Sequence, residues 1–432
     1  MDGEPLGSRA RCLTREQRRS DKKPYVRIVI GTLALSSPGG TETYCLTVAR
    51  ELDRLGHEAT LFAEEFGLLA ERAAAGGFRI AWSADELPAD CDAVLANDSI
   101  TASLLAERYP GTRLVYCFHS PVYDVQLPPL APGAIDALVV PSERFAARAR
   151  ALALDVPLVR LRQPIDLERF APTDPPRSPP RTAVLLGNYL EGRRRDALVE
   201  TWAAGGVECV TVGERAEFSF DVRREIADAD IVVGKARAAL EGMACGKAVY
   251  VFDAWGGDGW VTSERYPALE ADNFAGLATD RPIERGQMAA DLERYDPDMG
   301  WINRELVVRH HAAGAHVSEL LEVLRGPAPR RPDSASGAGA MARVARTAWH
   351  AERRASSAER EASDLRRRVA ELAARAARAE EADALASDRD AWQARAAEAE
   401  RQLGELLSSG RVRAGLSLGR CLDRLRTLGT RR

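Results

Sequence analysis

Gly234, Lys235, Arg237 and Glu241 stand close together in the stretch DADIVVGKARAALEGMACGKAVYVFDAWGGDG, residues 228–259. Two cations beside a glycine suit a phosphate-bearing ligand, and Glu241 lies one helical turn beyond Arg237 on the same face. The elements needed to hold them are legible around them. Ile231–Val233 reads as a buried strand, Gly234 as a tight turn, and the following residues as a short helix leading to a second strand over Ala248–Phe252. Strand, helix and strand in this order demand a parallel sheet with a right-handed crossover. Ligands of such sheets sit beyond the carboxyl ends of the strands, where the positive end of the helix also points. On spacing alone, a solvated helix start explains these four residues equally well.

A second candidate cradle is Gly39-Gly40. Val26–Ile30 reads as the first strand, followed by the loop SSPGGTET and a helix with Cys45, Val48, Leu52 and Leu55 on its apolar face. Gly56 ends that helix and Glu58–Ala63 gives the next strand. Two glycines at a helix start let the backbone approach a ligand and bare its N–H groups. The dinucleotide fingerprint GxGxxG is absent. Further strands are expected at Asp92–Ala96, Arg113–Phe118 and Ala137–Val140, with Asn97, Asp98 and His119 at strand ends that face a ligand. Asp90-Cys91-Asp92 mimics a metal-binding DxD, yet it only precedes a strand.

The 432 residues allow two or three domains with proper cores, and a net charge of −4 excludes a generally basic nucleic-acid binder. Seven scattered cysteines form no CxxC pair and no zinc spacing. Without a signal peptide or an apolar run long enough for a bilayer, the expected location is the cytoplasm. His310, His311 and His316 do not share the three- or four-residue spacing of a helical metal pair, and a helix-surface role is expected for them.

Five segments together resemble GT-B glycosyltransferases, most closely glycosyltransferase family 4: GGTETYCLTVARELDRLGHEATLF, ALVVPSERFAARAR, LRQPIDLERF, GNYLEGRRRDAL and ALEGMACGKAVYV. The resemblance implies an α/β fold of two Rossmann-like parallel-sheet domains and a nucleotide-diphosphate sugar as donor. It implies a retaining transfer without a metal cofactor, in which cations and a helix dipole stabilise the leaving diphosphate. It assigns the nucleotide ribose to Glu241, the sugar to His119, and the diphosphate to Arg193 with Lys235 and the Gly39-Gly40 amides. Four positions depart from the family pattern: Gln163 replaces an asparagine, Asn188 an arginine, Arg193 a lysine with the cation kept, and Val233 the first of two glutamates. The acceptor implied is a glycan, lipid or small molecule, as in surface polysaccharide or glycoconjugate synthesis. The alternatives are a non-catalytic sugar-nucleotide binder and a coiled-coil assembly scaffold.

Composition divides the rest. Residues 1–24 read as a flexible basic arm, 25–170 as the acceptor-side domain, 171–180 as a proline-rich linker and 181–326 as the donor-binding domain. Residues 327–340 form a Pro/Ser/Gly linker, and 341–408 an alanine-rich coiled coil or helical hairpin for self-association or docking. Its seam runs through positions 341, 344, 348, 351, 355, 358, 362, 365, 369, 372, 376 and 379, mostly alanine with Val344, Leu365, Val369 and Leu372, slips near Asp383, then resumes through Trp392, Ala396, Ala399, Leu403 and Leu406. Residues 409–432 are a basic tail, with Arg411, Arg413, Arg420, Arg424, Arg426, Arg431 and Arg432 against Asp423. Leu418, Leu422 and Leu425 line one helical face, which suits a peripheral membrane contact.

Overall fold

The computed structural model describes residues 25–121, 123–130, 133–172, 174–187, 190, 192–213, 219, 221–253, 256–279, 283–327, 338–376 and 382–408. The basic arm, Asn188, residues 328–337 of the second linker and the basic tail lie outside the described residues.

Two sheets carry the fold. The first has seven parallel strands: β1 (Arg27–Leu35), β2 (Glu58–Phe66), β3 (Arg79–Ala81), β4 (Ala93–Ala96), β5 (Arg113–Cys117), β6 (Ala137–Val140) and β7 (Leu158–Arg160). Their order is β3-β2-β1-β4-β5-β6-β7. The second contains β8 (Thr182–Leu186), β9 (Glu208–Val212), β10 (Ile231–Gly234), β11 (Ala248–Phe252) and β12 (Gly257–Trp260), in the order β12-β11-β10-β8-β9. All of its pairs are parallel except β12, which returns antiparallel beside β11. Strands β4, β5, β6, β10 and β11 are buried along their whole length, because helices cover both faces of each sheet. Each sheet accordingly separates two hydrophobic clusters.

Strands expected from short apolar runs lie where the sequence placed them, with shifted ends. The first continues to Leu35 rather than stopping at Ile30, because Gly31 lets helix packing approach the strand. A Cβ on Gly31 would lie 2.5 Å from Leu105. Strands β3, β7, β9 and β12 were not expected. All four are edge strands: β3, β7 and β9 mix exposed or half-buried residues, and β12, though buried, reads Gly-Asp-Gly-Trp with little apolar pattern.

The helices that position the site are α1 (Gly40–Arg54), α2 (Ser99–Arg108), α3 (Gly192–Ala204), α4 (Arg237–Ala244) and α5 (Ala313–Leu324). Ser142 caps the helix after β6, accepting from the Phe145 N–H at 3.5 Å. Helix α4 lies close against β10, where a Cβ on Gly242 would meet Val232 at 2.7 Å. Helix α5, which the sequence grouped with the second sheet, packs instead into the core of the first through Val317, Leu320, Leu321 and Leu324.

The extension forms α6 (Ala338–Ala376) and α7 (Ala382–Ser408). Ala362 and Leu365 of α6 meet Ala396 and Ala399 of α7, with Trp392 beside them, so the helices pack on each other within one chain. Helix α6 also packs against α2, and its Arg346 and Arg353 pair with Glu64 at 2.7 Å and Glu65 at 3.0 Å. Among the described residues no helix is long and apolar enough to cross a membrane.

Candidate functional site

The carboxyl end of β5 delivers His119 into a neutral polar cluster. Its Nε2 lies 2.7 Å from Asn97 Oδ1, and the Asn97 amide donates to the Gly31 carbonyl at 2.8 Å. That orientation makes Asn97 Oδ1 the acceptor, so Nε2 carries the proton and Nδ1 keeps a lone pair. Burial depresses the imidazole to about 3, with the nearby His316 and Arg237 adding to the effect, so His119 is uncharged at neutral pH.

Tyr44 of α1 stacks edge-on against His119 at 4.7 Å and reaches His316 Nε2 at 3.1 Å. His316 Nδ1 donates to the Arg162 carbonyl at 2.8 Å, which leaves Nε2 to accept the Tyr44 hydroxyl proton. His311 follows the same logic, donating to the Gln163 carbonyl at 2.8 Å and accepting from Tyr266 at 2.8 Å. Burial lowers His316 to about 4 and His311 to about 3. These two are therefore buried joints of the cleft rather than surface residues of a helix. The helix-surface expectation fails because α5 carries His316 back onto the first sheet and His311, just before it, packs against Tyr266 and Phe274, long-range contacts that local spacing does not encode. A cavity of about 30 Å³ opens among Tyr44, His119, Gln163, Asn273 and His316. Gln163 Oε1 is buried beside it without a hydrogen-bond partner.

On the second sheet Gly234 closes β10, and a Cβ there would lie 2.9 Å from the Leu186 carbonyl. The turn itself falls one step later than expected, on Lys235 and Ala236. Ala236 takes φ 48° and ψ −117°, a left-handed conformation that favours glycine and costs on the order of 1–3 kcal/mol. The Lys235 ammonium pairs with the Asp253 carboxylate, which closes the adjacent strand β11. Lys235 stays over a third exposed while Asp253 is buried.

Arg237 is buried and bridges the two halves. It donates to Glu241 Oε1 at 2.9 Å, to Thr47 of α1 at 2.9 Å and to the Pro164 carbonyl at 3.2 Å. Burial lowers its pKa and raises that of Glu241, and each partner opposes the other's shift. Arg237 thus faces the first sheet's helix rather than an open phosphate site, whereas Glu241 Oε2 remains outside the Arg237 contact.

Arg193 sits exposed in the first turn of α3, the helix that follows β8 at the same edge. At the other cradle, Gly39 is the N-cap of α1 without a side-chain cap, and the carboxylate of Glu42 folds back against it. It lays a carboxylate where an anion would approach the amides. Gly40 faces open space. Burial raises the Glu42 carboxyl to about 7. Asp90 and Asp92 of the DxD mimic both pair with Arg27.

The structure therefore gathers His119 with Gly234, Lys235, Arg237 and Glu241 along facing strand ends, with Arg193 at the rim. Sequence reasoning missed Asp253, Thr47, Gln163 and His316 as members. Asp253 was findable, since it closes a buried parallel strand at the ligand edge. Thr47, Gln163 and His316 join only through contacts between distant segments. Among the described residues no cluster of three or more histidines, cysteines or carboxylates is placed to hold a metal ion.

Neither a protein-family profile nor a curated protein sequence matches this chain. Solved structures do. One is HepE of Anabaena in complex with UDP and glucose, at 13% identity and a TM-score of 0.50, covering 69% of this chain and 99% of that one. Another is an alpha-glucosyltransferase in complex with UDP and a 13-mer DNA containing an HMU base. It is 14% identical, with a TM-score of 0.50, and covers 70% of this chain and 100% of that one. The two sheets and their order thus have the GT-B glycosyltransferase fold, which the chain supplements with its terminal helices.

Proposed function

We propose that this chain transfers a sugar from a nucleotide-diphosphate sugar to an acceptor hydroxyl, in the manner of family 4. The observation that carries the reading is the facing pair of strand ends. Lys235, Arg237 and Glu241 on one side meet Tyr44, Thr47 and His119 on the other, at the edge where parallel sheets take ligands. The bound UDP of the similar structures makes uridine nucleotides the first donors to test.

In this reading the donor diphosphate lies over the Gly234–Lys235 turn and the amino end of α4. Lys235, with Arg193 at the rim, compensates its charge, and Glu241 Oε2 accepts from the ribose hydroxyls. The neutral His119 accepts a sugar hydroxyl through Nδ1. The bond between the anomeric carbon and the diphosphate oxygen breaks as the acceptor oxygen bonds to that carbon on the same face. The acceptor proton passes to the departing phosphate oxygen, so configuration is retained and no protein base is required. Fixed cations and the helix end take the place of a divalent metal in stabilising the developing charge. Residues 341–408 act as a coiled-coil extension of this enzyme.

Titration of the full chain with UDP, UDP-glucose and other nucleotide sugars by calorimetry tests the reading, followed by transfer assays with retention read by NMR of the product. Binding of one donor, weakened tenfold or more by Glu241→Ala, supports it. Failure of every donor to bind the folded protein would sink it. Val233, in place of the family's first glutamate, favours one second reading, a binder without transfer. That reading predicts donor affinity with no turnover.

A further inference from the structure

Val233 stands near the carboxyl end of β10, yet it is fully buried in the core cluster of Leu185 and Tyr250. Val233 and Gly234 therefore bring no polar side chain to a ligand from that strand end. A polar contact from the second half has to come from elsewhere. His316 apart, whose helix packs into the first sheet's core, the cavity beside His119 receives one residue from the second half, Asn273.

The fold holds Asn273 in an unfavourable segment of backbone. Asn273 takes φ 58° and Phe274 takes φ 53°, while Ala236 in the adjacent turn takes φ 48°. Asparagine tolerates this left-handed region, whereas phenylalanine and alanine adopt it only under strain. One hydrogen bond ties the two strained segments together, from the Ala236 N–H to the Phe274 carbonyl at 2.9 Å. Phe274 is wholly buried in the core of the second sheet, which fixes the chain behind Asn273. The residues before it are clamped by the first half. Asp272 accepts from Arg144 at 2.8 Å, and Glu270 from Arg160 at 2.6 Å and Arg162 at 3.1 Å. Strain of this kind persists only where the surroundings over-determine it, and it gathers at ligand sites. Both halves of the molecule thus set where the half-buried Asn273 stands.

The polar groups of the cavity match a hydroxyl. Gln163 Oε1 is buried there without a hydrogen-bond partner among the described residues, and His119 keeps a lone pair on Nδ1. Both are acceptors, whereas the Asn273 carboxamide can donate as well as accept. A hydroxyl donates one bond and accepts two, so it can serve Gln163 and Asn273 at once. The cavity of about 30 Å³ has room for one such group. Resting on the sugar-transfer reading, we propose that Gln163 and Asn273 are the specificity-determining pair for the transferred sugar. A ring hydroxyl of that sugar donates to Gln163 Oε1 and accepts from the Asn273 amide. The substrate class is then a hexose that keeps this hydroxyl. A deoxy analogue leaves the buried Gln163 acceptor unmet, and a site built around a hydroxyl rejects such an analogue strongly.

Calorimetry of the full chain with the diphosphates of uridine, adenosine and guanosine, each free and joined to glucose, gives the affinity that the sugar adds. Gln163→Leu keeps the bulk and removes the acceptor, while Asn273→Gly keeps the left-handed backbone and removes the amide. Each should leave the free nucleotide within about twofold and weaken its glucose conjugate at least about tenfold. Gln163→Leu should also raise Tm, because it removes a buried acceptor that has no partner. A purely structural role would lower Tm and weaken nucleotide and conjugate alike, and that pattern overturns the proposal. Conjugate affinity unchanged in both variants overturns it too, leaving sugar transfer standing with the sugar elsewhere in the cleft. Glucose that adds no affinity in the wild type does the same. If no nucleotide binds the folded wild type, the transfer reading falls, and saturation-transfer NMR with free glucose tests the pair directly. Glucose contact that is lost in Gln163→Leu then upholds a hexose site, and no contact in the wild type overturns it.

Discussion

The two strand edges that face each other across the cleft are built from opposite materials. The first offers neutral groups: His119 and His316, both kept uncharged by burial, with Tyr44, Asn97 and Gln163. The second offers charge held in pairs, Lys235 with Asp253 and Arg237 with Glu241. Neutral donors and acceptors can match uncharged hydroxyls without leaving a buried charge behind. Paired charges can exchange a protein partner for a ligand phosphate or hydroxyl at little desolvation cost. The division suits a ligand with an anionic end and a hydroxyl-rich end, and it makes the Arg237–Thr47 bond the joint between the two chemistries.

That contrast can be broken most severely at Arg237. Arg237→Ala leaves the Glu241 carboxylate buried without its partner, and a loss of about 3–5 kcal/mol is expected in urea unfolding. Arg237→Leu combined with Glu241→Leu should recover most of that stability while abolishing donor binding. If the double variant is no more stable than Arg237→Ala, the pair is not the source of the cost.

Lys235→Ala probes the charged edge alone. It should weaken nucleotide diphosphate binding about a hundredfold, or about 2.8 kcal/mol. Arg193→Ala should weaken it far less, from its place at the rim. Equal calorimetric affinities for wild type and Lys235→Ala would remove the phosphate from this turn.

His119→Ala probes the neutral edge. Losing one hydrogen bond to the sugar should lower kcat/KM about tenfold to a hundredfold. Because burial holds this imidazole near 3, its titration should not appear in the pH profile of the wild type between pH 5 and 8. A limb near pH 6.5 that vanishes in His119→Ala would show that the histidine ionises in the complex.

The smallest effect is expected at Glu42. Its folded carboxyl holds a proton to about pH 7, whereas the unfolded one releases it near 4.5, so the folded state binds more protons between these values. Stability therefore falls as pH rises through that window. Glu42→Gln should stabilise by on the order of 1 kcal/mol at pH 8 and by nothing at pH 4, read by thermal unfolding. Destabilisation at pH 8 would instead mean that the ionised carboxylate is held favourably by the positive amino end of α1.

Much of this was legible before any coordinates. Buried strands such as Ala137–Val140 and Ala248–Phe252 are short apolar runs between turns, and their parallel pairing follows from the helices between them. Edge strands are hidden in the sequence because β3, β7 and β9 are only partly buried and β12 is built of two glycines, an aspartate and one tryptophan. The glycine turn was placed one residue early, because nothing local reveals that Ala236 accepts the left-handed backbone while Gly234 is needed for close packing. In the extension, Ala351, Ala355, Ala362, Leu365, Ala396 and Ala399 of the seam are buried, whereas Val344 is exposed and Val369 and Leu372 are half-buried. What they pack against did not follow, since alanine seams fit many partners.

The sequence by itself determined the layered α/β architecture and the side chains standing at strand ends, because hydrophobic period and turn chemistry act over a few residues. The tertiary structure alone decided which charges are spent and which are free. Arg237 finds Thr47 from 190 residues away, α5 carries His316 back onto the first sheet, and Arg346 and Arg353 pin the hairpin to the end of β2. Partner choice over such distances depends on how the two sheets pack together, and no local pattern records it.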